Sequence, residues 1–149
     1  MTDLCKNVRI RVCGILIDRD KLLLIAHKKD DEVYWLLPGG GVDYGESLKE
    51  ALCREFIEEL GISIEVDEIS LVSDSIDPEG NRHVVNLCFA CRFESGKYRL
   101  GNDERLYDFR FFSEDELRGI TIYPPINEEL VLIMREGCSR SRYIGRLWK

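Results

Sequence analysis

The chain contains no run of about 18 apolar residues, so nothing in it reads as a membrane span. An excess of positive charge is also missing. Lys and Arg number 21 against 28 Asp and Glu, a net charge of −7 over 149 residues. That excludes the basic footprint with which proteins hold a phosphate polymer, and bulk nucleic-acid binding with it. A local basic pocket for a small anion stays open. Of the six cysteines, Cys5, Cys13, Cys53, Cys88, Cys91 and Cys138, only Cys88 and Cys91 stand close together. No second pair at ligand spacing accompanies them, which argues against a zinc site. Three residues apart on an apolar strand, they point to opposite faces, so the cysteines read as free thiols. The start, Met1-Thr2-Asp3-Leu4-Cys5-Lys6, lacks the basic-then-apolar pattern of a secretory signal, and the expectation is a cytoplasmic protein. No repeat, low-complexity tract or Pro/Ser-rich linker interrupts the sequence, so one domain is expected over residues 1–149. Hydrophobic residues at 44% and charged residues at 33% suit a folded chain whose core needs no disulfide or metal staple.

What is present reads as alternating strands with a few helices. Residues 8–17, with Arg9 and Arg11 interleaved among apolar side chains, predict a strand, and 21–27 predict a second after the turn Asp18-Arg19-Asp20. A charged loop over 28–32 leads to a short strand, 34–37, that stops at Pro38-Gly39-Gly40-Gly41. Ser47 and Glu50 make a capping box that opens a helix, and Gly61 supplies its left-handed end. Residues 69–76 and 84–93 predict two strands joined by the turn chemistry of Asp77-Pro78-Glu79-Gly80-Asn81. Short strands are expected over 98–100 and 109–112. Ser113 and Glu116 cap a short helix, and 127–135 form a last one after Pro124-Pro125. The basic tail from Ser139 carries Tyr143, Leu147 and Trp148, expected to pack back onto the body. This order predicts an α+β fold, a mixed β-sheet with helices on its faces.

The segment that carries chemistry runs from Gly40 to Ile62. At about 100° per residue, Leu52, Cys53, Phe56, Ile57 and Leu60 fall on one arc, the face expected against the sheet. Glu55, Glu58 and Glu59 fall on another. Glu55 and Glu59 are four residues apart, so their carboxylates lie side by side, which destabilises a bare helix. A hard divalent cation is the natural counter-charge. Mg²⁺ takes carboxylate and carbonyl oxygens and keeps waters, so it can carry a phosphate substrate and an attacking water. Gly39, Gly40 and Gly41 let backbone approach a ligand closely, and a carbonyl there could add an oxygen. Arg54 stands beside the acids and could hold one in a bidentate pair.

This segment resembles the Nudix box, the signature of the Nudix (MutT-like) hydrolases, at every defining position, over 23 of the 149 residues. Trp35-Leu36-Leu37-Pro38-Gly39-Gly40-Gly41 is similar to the family's lead-in. Residues 108–117 resemble the strand and capped helix that close its sheet, with Phe111 where tryptophan is common. The resemblance implies a Nudix-type αβα sandwich in which 40–62 form a loop–helix–loop. It implies a pyrophosphohydrolase that uses Mg²⁺ or Mn²⁺ to hydrolyse a nucleoside diphosphate linked to another group. On the matching positions it implies Glu55 and Glu59 as the main metal ligands, Glu58 as a ligand or base, and the Gly39 carbonyl as a further ligand. Arg54 would orient the glutamates, and Glu46 would support the loop–helix. The family often draws another acid from the loop before the last strand, and Glu104 is the candidate here. The general base stays open between Glu58 and Glu104. The expected reaction is substitution at phosphorus by a carboxylate-activated water. Dimers are common in the family, so a homodimer stays open.

Within the family, a proline 16 residues past the box resembles the marker of ADP-ribose pyrophosphatases, and Pro78 stands there. The same proline belongs to an ideal turn. The rival reading is a nucleoside triphosphate pyrophosphohydrolase, sanitation of oxidised dGTP included. A non-catalytic nucleotide sensor is a reading of another class, opposed by the intact Glu55, Glu58 and Glu59. An RNA-end pyrophosphohydrolase is disfavoured by the acidic balance. A dinucleotide-binding Rossmann domain is rejected, because Tyr44 stands where the third glycine belongs. Tyr34, Trp35, Phe109 and Phe111 are candidates for stacking on a base, each more readily a core residue. Arg82 and His83 follow the turn and could touch phosphate, although a solvated strand end suits them as well. His27 ends a strand without an evident partner.

Overall fold

The computed structural model describes residues 6–138 and 140–148. The first expectations, on residues 1–5 with Cys5, lie outside the described residues. The elements are β1 (Arg9–Asp18), β2 (Lys21–Lys29), β3 (Glu32–Leu36), β4 (Gly39–Gly41), α1 (Leu48–Leu60), β5 (Ile62–Ile76), β6 (His83–Gly96), β7 (Leu106–Phe112), α2 (Glu114–Leu117), α3 (Asn127–Glu136) and β8 (Arg142–Leu147). Among the described residues no helix is long and apolar enough to cross a membrane.

The strands run in the order β3-β2-β1-β6-β5-β8, with β4 added to β1 and β7 to β2. The β1–β6 and β5–β8 pairs are parallel and the rest antiparallel. β1 is the hinge of this arrangement. Its stretch from Arg9 to Leu16 pairs with β6, and only its end, Ile17 and Asp18, pairs with β2. Residues of both parts of the sheet, among them Arg11, Asn86, His27 and Tyr34, line one cleft.

Both faces of the central strands are covered, which explains their continuous apolar runs. Cys13, Ile15, Leu22, Leu24 and Cys88 point to one side, where Leu117, Ile126 and Leu130 of the α2–α3 segment close over them. Val12, Leu16, Leu23, Ile25, Phe89 and Cys91 point to the other, against Leu52, Phe56 and Leu60 of α1. Helix, sheet and helix give the αβα sandwich that was expected, and Cys88 and Cys91 lie on opposite faces as their spacing required. Phe56, Leu52 and Leu60 are fully buried. Each contributes about 1.5–3 kcal/mol by leaving water. That docking, more than intrinsic propensity, holds α1 in place.

Several expectations are corrected. The strand before Pro38 stops as expected, at Leu36, but the glycine run then forms a strand of its own. Arg11, Val12 and Cys13 pair with Gly41, Gly40 and Gly39, because the open edge of β1 offers partners that outweigh glycine's weak strand preference. β5 begins at Ile62, directly after the α1 cap, rather than at Ile69. Residues 98–100 form no strand, and are tied to α1 instead, Arg99 N–H donating to the Leu60 carbonyl at 3.0 Å. Ile57 sits at the margin of its arc and is 54% exposed, clear of the sheet. In the tail, Leu147 packs on the core and Trp148 stands edge-on to Tyr123, with ring centroids 5.6 Å apart. Tyr143 does not pack back. It points outward on β8 and its hydroxyl donates to the Asp74 carboxylate.

Candidate active site

The expected capping box is formed. Ser47 Oγ accepts from Glu50 N–H at 3.1 Å, Glu50 accepts from Ser47 N–H at 2.8 Å, and Gly61 ends the helix with φ +71°. With both ends fixed, helical geometry alone sets Glu55, Glu58 and Glu59 toward the glycine strand. Glycine is required there by contact as well as conformation. Gly39 has φ +155°, and a Cβ on it would collide with the Val12 carbonyl oxygen. A Cβ on Gly40 would lie 2.5 and 2.6 Å from the carboxylate oxygens of Glu55. Glu55 and Glu59 therefore press directly on β4 backbone.

Arg54 is the hub of the cluster. Its Nε and Nη2 make a bidentate pair with Glu46, at 2.6 and 2.9 Å. Nη1 donates to Glu55 at 2.9 Å and to Glu58 at 3.2 Å, and Nη2 also reaches the Gly41 carbonyl at 3.1 Å. Hydrogen bonds from Arg54 and from the Asp43 backbone hold the Glu46 carboxyl down at about 2. Glu46 thus braces the arginine, and the arginine braces Glu55 and Glu58. Glu59 faces the other way, accepting the Gly39 N–H at 2.9 Å. Burial pushes its carboxyl up to about 8, against the pull of Arg11, with the like charge of Glu55 adding to the rise. Burial also raises Glu55, opposed by Arg54. Two neighbouring, partly buried carboxyls held above their usual range are groups in want of a cation.

Divalent-ion chemistry fits this donor set: three carboxylates on one helix face, all oxygen, beside the backbone of a strand whose Gly39 and Gly40 leave no room for a side chain. In the present arrangement no three acidic, histidine or cysteine side chains among the described residues converge into a closed cage. Arg54 takes up oxygens of Glu55 and Glu58, and Glu59 is turned onto Gly39.

The acids form one wall of a cleft of about 620 Å³, within the usual size for small-ligand sites. Arg9 and Arg11 of β1 and Asn86 of β6 lie along the cleft, and Tyr34, His27 and Tyr123 face it from the β2–β3 side. Arg11 donates to the Leu37 carbonyl at 2.9 Å. Asn86 is buried and spans Ser73 and Ser75, its Nδ2 lying 3.3 and 2.9 Å from their hydroxyls. His27 stands edge-on to Tyr34, and burial together with the charges of Arg105 and Arg11 pushes it down to about 4, so it is neutral at neutral pH.

The fold brings Gly39, Glu55, Glu58 and Glu59 together at the cleft, with Arg54 behind them. Glu58 is 57% exposed at its rim. Glu104 is exposed and does not line the cleft; its neighbour Asp103 does, and is paired with Arg105 at 3.1 Å. Of the four aromatic candidates only Tyr34 faces the cleft. Trp35 packs edge-on to Phe112, and Phe109 and Phe111 surround Tyr98. Arg82 lines the cleft, as does Ile57, while Pro78 serves the turn, in which Asp77 accepts from Glu79 and Asn81 N–H groups. Arg11, Asn86, Tyr123 and Asp103 went unread in the sequence. For Arg11 the signal was there, a charged residue set among apolar ones on a central strand.

Comparison with known proteins identifies the domain. The NUDIX domain matches residues 7–136. An ADP-ribose pyrophosphatase of Methanocaldococcus jannaschii is 33% identical over 67% of this chain and 60% of its own length. An RNA pyrophosphohydrolase of Wolbachia (from Drosophila simulans) is 34% identical over 68% of this chain and 59% of its own. The matched part thus spans about three fifths of these curated relatives. A MutT NUDIX hydrolase from Burkholderia pseudomallei superposes with a TM-score of 0.73 at 28% identity, covering 85% of this chain and 97% of that one. Nudix hydrolases generally use divalent metal ions such as Mg²⁺ and act on small nucleotide substrates. An α+β sandwich with glutamates of one helix set against a glycine strand, matched by the domain profile over most of its length, places this chain in the Nudix hydrolase family.

Proposed function

We propose that the described fold works as one catalytic unit, a divalent-metal-dependent pyrophosphohydrolase that cleaves a nucleoside diphosphate linked to another group. ADP-ribose, split to AMP and ribose 5-phosphate, is the first candidate. The observation that carries the reading is the cluster in which Arg54 binds Glu46, Glu55 and Glu58 while Glu59 rests on Gly39, at the end of a cleft large enough for a nucleotide. Glu55, Glu59 and the Gly39 carbonyl would hold Mg²⁺ or Mn²⁺, with Glu58 at the exposed rim. The ion, when bound, neutralises charge on the diphosphate and lowers the pKa of a water.

The chain's own residues do the rest. Arg54 fixes the directions of Glu55 and Glu58, and Glu46 fixes Arg54. Arg11 presents a positive charge to the phosphates from across the cleft. Tyr34 and Tyr123 offer apolar ring surface to a base or ribose. Glu58 is positioned to take the proton of an attacking water. One P–O bond to that water forms, and the bond from the attacked phosphorus to the bridging oxygen breaks. Glu104 remains the other candidate base, provided its loop turns inward. The cysteines are read as free thiols, and a cytoplasmic location and a homodimer remain part of the reading.

A triphosphate substrate, free or at an RNA 5′ end, is the second reading. It is favoured by Arg9, Arg11 and Arg82, which face the cleft and make no ion pair among the described residues. A substrate panel with Mg²⁺ in ¹⁸O-water, read by product mass, tests both. AMP with ribose 5-phosphate supports the first, and a monophosphate with pyrophosphate moves the assignment to the second. Saturable nucleotide binding without turnover at millimolar Mg²⁺ would replace both with a sensor.

A further inference from the structure

Two buried thiols have no part in this chemistry. Cys13 of β1 and Cys88 of β6 are direct register partners in the parallel pair. Both are 2% exposed and lie on the same face, their Sγ atoms 2.9 Å apart. Neighbouring strands run about 4.8 Å apart. That spacing falls within the Cα separation of about 4.4–6.8 Å that a disulfide spans. No other two thiols touch among the described residues. Cys91 is on the opposite face of β6, and Cys53 is occupied with the Ile64 carbonyl at 3.8 Å. A cavity of about 10 Å³, about room for one water, lies over the pair beside Arg11, Leu37 and Tyr123. Arg11, Asn86, Tyr123 and Pro124 border both this cavity and the cleft, so a small solute in the cleft is one layer of side chains from the sulfurs.

We propose that Cys13 and Cys88 form an oxidation site, a thiol pair that hydrogen peroxide converts into a disulfide across the centre of the sheet. One sulfur, as thiolate, attacks the peroxide. An S–O bond forms, the O–O bond breaks, and hydroxide leaves to become water. The second sulfur attacks the resulting sulfenic acid. The S–S bond forms, the S–O bond breaks, and a second water departs with the remaining thiol proton. Two thiols lose two electrons, and one peroxide becomes two waters. The strand backbone already sets the separation, so the pair needs side-chain rotation rather than strand movement. Cys13 is also in register with Gly39, so the bond ties the strand that seats the glycine run to β6.

The test is thiol chemistry on the native full-length protein. Hydrogen peroxide is added and removed with catalase, the protein is unfolded in alkylating reagent, and intact mass and a non-reduced peptide map are recorded. The reduced protein takes six alkyl groups. The expected result is loss of two together, a peptide linking Cys13 to Cys88, and return to six after dithiothreitol. Cys13→Ser and Cys88→Ser variants, checked for folding by circular dichroism, should each yield no linked peptide. Six alkylated thiols after methionine has been oxidised would overturn the proposal. So would a link through other cysteines, or sulfinic acid at either residue without a link. None of these readouts needs turnover, so the proposal stands or falls apart from the assigned activity.

Discussion

Glu59→Gln should make the metal-free protein more stable while destroying its activity. The carboxyl is pushed from its ordinary 4.5 to about 8, chiefly by burial. An acid raised in the fold binds its proton more tightly there than in the unfolded chain. Its presence therefore costs nothing below pH 4.5, and the cost grows as pH rises toward 8, where the folded protein must carry the buried charge. The full displacement corresponds to a ceiling of about 5 kcal/mol. Water and small relaxations soften it, because the effective interior dielectric is nearer 20 than 4, and we take roughly 2 kcal/mol as realised. Glutamine keeps the acceptor for Gly39 N–H and the packing, and removes only the charge. In EDTA at pH 8 the variant should melt about 4–8 °C above the parent. At pH 4.5 the two should melt together. Added Mg²⁺ should raise the parent's Tm and barely move the variant's, since a ligand that binds the native state stabilises it by mass action. Turnover with Mg²⁺ should fall by at least about a hundredfold. Equal melting temperatures at pH 8 in EDTA, or a gain that persists at pH 4.5, would refute the reasoning that Glu59 is a partly buried charge awaiting a cation.

Arg54→Lys keeps the charge but loses the fork that grips Glu46 while reaching Glu55 and Glu58. It should lower kcat by about 10–100-fold with KM for nucleotide little changed, measured by steady-state kinetics. Gly40→Ala inserts a methyl against the Glu55 carboxylate and should shift the Mg²⁺ concentration for half-maximal rate upward by about tenfold, read from a metal titration. Arg11→Met should raise KM several-fold, and raise it more for triphosphates than for ADP-ribose. Phe56→Ala, at a fully buried ring under α1, should cost about 3–5 kcal/mol in a urea melt monitored by circular dichroism.

The parts of the site legible in the sequence are those fixed by local geometry. Glu55, Glu58 and Glu59 share a helix face because the helical period says so, and Ser47, Glu50 and Gly61 announce where that helix starts and stops. Arg54 and Glu46 could be placed beside the acids but not joined, since the bidentate pair depends on how the loop 42–46 folds back over the helix. What could not be read is what distant pairing delivers. Asn86 stands beside Arg11 only because β1 and β6 run parallel in one register. Tyr123 reaches the cleft because Trp35 N–H donates to the Thr121 carbonyl and Tyr123 N–H to the Trp35 carbonyl, holding that segment against β3. The glycine strand was missed for a related reason. Three glycines carry no strand signal of their own, and the open edge of β1 supplies the order.

Charge shows the same division between what composition gives and what folding arranges. A net charge of −7 argues against phosphate-rich partners. Yet five arginines, Arg9, Arg11, Arg82, Arg99 and Arg105, line the same cleft as the glutamates of α1. Arg9 and Arg11 alternate on one face of β1, Arg82 follows a hairpin turn, and Arg99 and Arg105 flank the loop before β7. These arginines come from separate parts of the chain. The fold gathers positive charge from separate places into one cleft with carboxylates whose burial-raised pKa values mark them as short of a cation. A polyphosphate carrying a divalent ion answers both walls at once, its oxygens toward the arginines and its metal toward the glutamates. A neutral ligand answers neither, and a polyanion without a metal would leave the glutamate wall repelling it. The net charge serves this selection, since the acidic surface outside the cleft discourages non-specific contact with nucleic acid while leaving the cleft's own field intact over a Debye length of about 8–10 Å.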